Sequence, residues 1–244
     1  VIDTGVDTTH PDLKLAGGWN ATDKAKPDNY NDDNGHGTHC AGSIAALDNA
    51  AGVVGVAPDV ALYGVKVLDA SGSGTFDDVI AGIQWAVDNK MQIASMSLGA
   101  SRGNESLKAA VEAAAKAGVA LIAAAGNSGG AVGFPAAYPG AIAVAAMDSA
   151  DKVAGFSSRG PAVAVIAPGV NVKSTYMGGA YDTLSGTSMA TPHISGLAAL
   201  AISAKNISGV EAVRAALTAA STPLKDAPAE QQGAGVPDAE KLVR

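Results

Sequence analysis

Short, wholly apolar runs alternate along this chain with segments of helical periodicity, and that alternation restricts the fold more than any other feature. Val119–Ala125 (VALIAAA) and Ala141–Met147 (AIAVAAM) carry no polar side chain, so each reads as a strand buried on both faces. Ala61–Leu68 and Gln92–Leu98 read as strands ahead of them, and Val163–Ala167 as one after. Between these runs, Thr75–Asn89 places Phe76, Val79, Ile80, Ile83 and Val87 on one helical face. Asn104 caps a helix over Glu105–Ala117 that stops at Gly118. Two further helices, Ser188–Ala204 and Val210–Ala220, complete the pattern; Pro192 lies near the start of the first, where proline is better tolerated. Strands alternating with helices predict an α/β fold, a mainly parallel sheet with helices on both faces. Pro228–Pro237 reads as a surface loop.

Length and composition narrow the function. The chain has 244 residues, of which 48% are hydrophobic, enough for a substantial core. No linker, repeat or low-complexity stretch interrupts it, so a single domain over residues 1–244 is expected. A net charge of −7 argues against nucleic acid and anionic membrane as partners. No apolar run reaches the length of a membrane span. No secretory leader is visible, so the chain reads as cytosolic or already processed. Cys40 is the single cysteine, which excludes an internal disulfide and a multi-cysteine zinc centre.

In a parallel sheet, sites form beyond the carboxyl ends of the strands. Asp3 follows Val1-Ile2, Ser95 and Ser97 close the run from Gln92, and Asn127 follows the run from Val119. Gly186-Thr187-Ser188-Met189-Ala190-Thr191-Pro192-His193 places a serine at the opening of a helix. Backbone N–H groups and the helix dipole stabilise an oxyanion there. His36 lies in Gly35-His36-Gly37-Thr38-His39, flanked by glycines that let a substrate backbone approach. His10, His39 and His193 read as structural.

Together, Val1-Ile2-Asp3-Thr4-Gly5, Gly35-His36-Gly37-Thr38-His39, Ala125-Gly126-Asn127 and Gly186-Thr187-Ser188-Met189-Ala190 resemble, in this order, the motifs of the subtilisin family of serine proteases. The resemblance covers essentially the whole chain. It implies the three-layer α/β fold of that family and a serine endopeptidase of broad specificity working through an acyl-enzyme. Ser188 would be the nucleophile, His36 the general base and Asp3 its orienting carboxylate. Asn127 and the Ser188 N–H would form the oxyanion hole. Gly72, Ser73, Gly74, Ser97, Leu98 and Gly99 match the segments that pair with an extended peptide. Ala124, Ala125 and Gly126 would wall the pocket for the residue before the cut, with Gly133 near its floor. A glycine there leaves room and no charge, so large apolar or aromatic residues are expected before the cut. Phe76 and Val79 resemble an outer apolar subsite.

The resemblance also implies structural calcium, held by Asp12, the Asn49 side chain and the carbonyls of Leu47, Ala51 and Val53. A second, weaker cation site would use the carbonyls of Ala136, Tyr138 and Ala141. Cys40, one helical turn after His36, is expected as a small buried residue. The family carries a loop, a helix and more of the first strand ahead of the aspartate, so this chain reads as truncated at its N-terminus. Polypeptide substrates are the expected partners, with a pro-segment or the missing N-terminal segment as a further one. A secreted monomer is implied. Two alternatives stand beside this reading. One is an inactive or poorly active subtilase fragment. The other is an α/β-hydrolase-type esterase using Ser128 of Gly126-Asn127-Ser128-Gly129-Gly130 with Asp182 and His193; such an elbow must lead into a helix, which Gly129–Pro135 cannot make.

Overall fold

A computed structural model describes all of residues 1–244. The elements in chain order are β1 (Ile2–Asp3), β2 (Leu15–Asn20), α1 (His36–Ala45), β3 (Leu62–Lys66), α2 (Phe76–Asp88), β4 (Ile93–Met96), α3 (Glu105–Lys116), β5 (Ala120–Ala124), β6 (Ala141–Met147), β7 (Val163–Pro168), β8 (Val172–Tyr176), β9 (Ala180–Leu184), α4 (Thr187–Lys205) and α5 (Val210–Ala219). Short β10 (Ser221–Thr222), α6 (Ala229–Gln232), β11 (Val236–Pro237) and α7 (Ala239–Val243) follow. Strands β4-β5-β6-β7 form a parallel sheet. A second parallel sheet runs β1-β3-β2, and β1 lies against β4, so the two sheets continue one another as a single layer.

The two-sided burial read from the apolar runs is what makes three layers. Successive strand residues point to opposite faces. Leu121 and Ala123 of β5 therefore pack with Ile83 of α2 and Val111 of α3. Ala120 and Ile122, one position out of phase, pack with Ile194 and Ala198 of α4 and Val213 of α5. All five residues of β5 are buried. The surface helices start where their caps dictate. Thr75 and Asp78 form a reciprocal capping box at α2, and the Asn104 side chain accepts from Leu107 N at 2.7 Å at α3.

Three elements differ from the expectation. β2 escapes the pattern because its Gly17 and Gly18 dilute the apolar alternation. The antiparallel hairpin β8–β9 escapes it through its polar composition, VKSTY and AYDTL. Pro228–Pro237 is not a plain loop: it holds α6 and β11, and β11 pairs with β10. Buried Gln232 organises it, donating to Leu224 O at 3.1 Å. No helix is long and apolar enough to cross a membrane.

Candidate active site

Asp3 ends β1 in register with Lys66 of β3. Lys66 is itself buried, and its ammonium donates to Thr4 O at 2.7 Å, Leu68 O at 2.9 Å and Asp33 Oδ1 at 2.6 Å. The turn after Asp3 is thereby fixed to the neighbouring strand. Opposite it, α1 begins at His36. Gly35 precedes it at φ 104°, and a Cβ there would run into the Tyr176 ring. Only glycine meets both demands.

His36 Nδ1 donates to Asp3 Oδ1 at 2.8 Å, and Thr4 N donates to the same oxygen at 2.7 Å. Asp3 is fully buried, while the His36 side chain keeps 27% exposure. The Asp3 charge raises the His36 pKa above the ordinary imidazole value, outweighing burial, which acts the other way. Asp32 reinforces the pair. Its buried carboxylate accepts from Thr4 Oγ1 (2.8 Å), Asn34 N (3.0 Å), Gly35 N (3.0 Å), Thr38 N (2.9 Å) and Thr38 Oγ1 (2.6 Å). Thr4 Oγ1 in turn accepts from Gly37 N at 2.9 Å, tying the Asp3 turn to the first turn of α1. Sequence reasoning missed Asp32, although Asp-Asp-Asn-Gly just before a helix start is a signature of side-chain turns.

Ser188 stands in the first turn of α4. Its hydroxyl donates to Ser97 O at 3.0 Å, and Ser97 Oγ donates back to Ser188 O at 2.7 Å. His36 and Ser188 are not hydrogen-bonded in this arrangement. They are held on adjoining elements, since Cys40 Sγ, one turn after His36, contacts Ser188 O at 3.5 Å. Cys40 is fully buried, and burial pushes its thiol pKa well up, so it stays protonated.

Asn127 follows β5 through Gly126. Its Oδ1 accepts from Thr187 N at 2.8 Å and Thr187 Oγ1 at 2.9 Å, which leaves Nδ2 as the donor facing outward. Asn127 Nδ2 and Ser188 N lie 3.4 Å and 3.6 Å from the point where a Cβ on Gly186 would sit. Asn127 Oδ1 lies 3.7 Å from the same point, so the Asn127 amide and the Ser188 N–H sit close together at the positive end of α4.

Two clefts meet at Ser97–Ala100. One, about 660 Å³, is lined by His36, Gly72, Ser73, Gly74, Phe76, Val79, Ser97, Leu98 and Gly99 among others. The second, about 420 Å³, is lined by Ser97, Leu98, Gly99, Ala124, Gly126, Gly133, Asn127 and Ser188, and no charged side chain lines it. Ala125 does not reach this cleft. It is fully buried, and its backbone bonds to Val144 O and Gly133 N. Val79 is mostly core, while Phe76 is 38% exposed.

The loop after α1 wraps around Asp12. Asn49 Nδ2 donates to Asp12 Oδ1 at 2.8 Å, and Val53 N and Tyr181 OH approach Oδ2 at 3.2 and 3.1 Å. Asp12 is buried without a cationic partner. The groups around its carboxylate are hydrogen-bond donors, and Asn49 Oδ1 accepts from Ala51 N at 2.7 Å, so a cation held here would require the Asn49 amide to turn its oxygen inward. Of the three carbonyls expected for a second cation site, that of Ala141 is taken by Arg214, whose Nη2 donates to it at 3.0 Å and to Pro139 O at 2.7 Å.

His10, His39 and His193 each bond a backbone carbonyl, those of Ala180, Val172 and Met189. Ser128 Oγ lies 3.2 Å from Ser158 Oγ, with no histidine beside it and no helix after it.

The profile of the Subtilase family matches residues 1–235. The chain is 54% identical over 201 residues to a thermostable alkaline protease of Halalkalibacterium halodurans, covering 82% of this chain and 55% of that protein. It is 47% identical over 232 residues to subtilisin DY of Bacillus licheniformis, covering 93% of this chain and 84% of that protein. With subtilisin E of Bacillus subtilis it shares 49% over 208 residues, 83% of this chain and 54% of the relative. The match therefore spans about half the length of some relatives and most of another.

Proposed function

Because the chain belongs to the Subtilase family of serine endopeptidases, we propose that it cleaves peptide bonds through an acyl-enzyme, with Ser188, His36 and Asp3 as the triad. The observations that support this reading are the bond from His36 Nδ1 to buried Asp3 at 2.8 Å, and Ser188 in the first turn of α4, where it lines one cleft together with Asn127. A carbonyl oxygen lodged there gains charge as the tetrahedral intermediate forms, and preorganised donors stabilise that charge most where it develops.

In the proposed reaction the Ser188 hydroxyl swings from Ser97 O towards His36 Nε2. Catalytic hydrogen bonds are commonly loose until substrate binds. Oγ attacks the carbonyl carbon and its proton passes to Nε2. Asp3 keeps the proton on Nδ1 and stabilises the imidazolium that results. The imidazolium then protonates the leaving amine, the C–N bond breaks, and the acyl group remains on Ser188. Water, deprotonated by His36, attacks the ester and releases Ser188.

The uncharged cleft from Ser97 to Ser188 supports a preference for large apolar residues before the cut. Asp12, Asn49 and the Leu47, Ala51 and Val53 carbonyls would hold calcium, which would supply the positive charge that Asp12 lacks. Removing calcium with a chelator should then lower the melting temperature, and Asp12→Ala should abolish that sensitivity. An extracellular site of action follows from the same family reading, as does a pro-segment or further N-terminal segment as partner.

The direct test is labelling with a peptidyl phosphonate bearing phenylalanine, followed by peptide mapping. A single adduct on Ser188, absent in Ser188→Ala, is the expected result. An adduct on Ser128 would transfer the chemistry to the esterase arrangement.

A further inference from the structure

Ser188 O occupies an unusual position in α4. In a regular α-helix it would accept from the N–H of residue 192, but residue 192 is proline and has none. A carbonyl left bare in the interior must find another partner. We infer that Ser97 is the positioning residue for the nucleophile, its hydroxyl replacing the hydrogen bond that Pro192 denies to Ser188 O. This inference rests on the proposed function, since it assigns Ser97 a part in holding that nucleophile.

The geometry is reciprocal. Ser97 Oγ donates to Ser188 O at 2.7 Å, and Ser97 O receives the Ser188 hydroxyl at 3.0 Å. Ser97 is only 4% exposed, so water does not readily substitute. A further side chain on Ser188 O is the Cys40 thiol at 3.5 Å, a weak donor. Ser97 directly follows β4, whose pairing with β5 fixes its height along the sheet. The clasp therefore refers the first turn of α4 to the strand layer that also carries Asn127. Pro192 has a purpose in this scheme: by vacating Ser188 O it lets the sheet, rather than the helix, set the nucleophile's place. Displacements near 1 Å at a reacting group can cost on the order of a hundredfold in rate.

The test is a double-variant cycle of wild type, Ser97→Ala, Pro192→Ala and the pair, reading kcat, KM and melting temperature on a phenylalanyl peptide anilide. Ser97→Ala should lower kcat about tenfold with KM within about twofold, a loss confined to the chemical step. Pro192→Ala restores a backbone N–H that can bond Ser188 O. In that background the same Ser97→Ala substitution should cost less than about threefold. The fall in melting temperature should shrink in parallel. Equal losses in both backgrounds overturn the clasp. If Ser97→Ala does not fold, the double variant must; failure of both also overturns it. A wild-type chain that neither turns over nor labels on Ser188 refutes the proposed function instead. The melting-temperature cycle then decides the clasp alone: additive shifts overturn it, and non-additive shifts uphold it.

Discussion

Gly37→Ala sets helix propensity against packing at the point where Asp3 meets His36. On propensity alone, alanine should favour α1 by about 1 kcal/mol. Space decides otherwise. A Cβ on Gly37 would be driven into the Gly5 carbonyl oxygen and would lie 3.1 Å from Thr4 Oγ1 and 3.2 Å from Asp3 Cβ. Carbon atoms rest about 3.5–4.0 Å apart, so the Asp3 turn and α1 must separate, by about 1 Å at the Gly5 carbonyl. The bond from Gly37 N to Thr4 Oγ1, 2.9 Å, and the bond from His36 to Asp3, 2.8 Å, lie on this seam. Lengthened by about 1 Å, neither remains a hydrogen bond. The expected loss in kcat is on the order of 10² for misplacement alone and approaches 10⁴ if the imidazole loses its orienting carboxylate. Turnover of a peptide anilide gives kcat, and the low-field Nδ1 proton of His36 reports the Asp3 bond. Thermal melting monitors the fold. A folded Gly37→Ala protein with kcat within threefold of wild type would refute the claim that this contact sets the pair.

Asn127→Ala should reduce kcat by about 10²–10³ with little change in KM, the loss measured for such a donor in a subtilisin; a KM effect alone would assign Asn127 to substrate binding. Because the base must be neutral and Asp3 raises the His36 pKa above its ordinary value, kcat/KM should decline with falling pH around a midpoint above about 6.5. In Asp3→Asn that midpoint should move down while kcat drops, and an unmoved midpoint would dissociate Asp3 from the base. For Asp32, burial raises the pKa, but the Gly35 N–H, the Thr38 hydroxyl and further N–H donors outweigh it and hold the folded value below 3.8. Its stabilisation is therefore complete above the unfolded value and lost as pH falls through it towards the folded one. Melting curves of Asp32→Asn should depend less on pH below about pH 4 than those of wild type; identical slopes would contradict this.

The sequence was legible where one residue type had one reason to be present. Val119–Ala125 and Ala141–Met147 are short uninterrupted apolar runs of strand length, and β5 and β6 lie within them. Asp3, His36, Asn127 and Ser188 lie in recognisable motifs, and of these the structure joins Asp3 to His36 at 2.8 Å. The rest depended on partners distant in the chain. Asp32 looks like one more turn aspartate until its five donors assemble. The polar strand β8 becomes a strand only because β9 pairs with it and because it packs against α1. Ala125 reads as pocket wall by position, yet its side chain is enclosed between layers. Arg214, nowhere near residues 136–141 in sequence, donates to the Pro139 and Ala141 carbonyls.

The contacts that assemble the site join residues far apart along the chain. Asp3 and His36 are 33 positions apart, Ser97 and Ser188 are 91, and Cys40 and Ser188 are 148. Such long-range closures form late, because the loops between them must be closed first. During synthesis Asp3 and His36 emerge well before Ser188. Even then, α4 must thread its buried faces against the completed strands. On the proposed triad, partially folded species should therefore lack peptidase activity. In a refolding time course, turnover should be the last signal to appear, after helix content and after burial of the tryptophans.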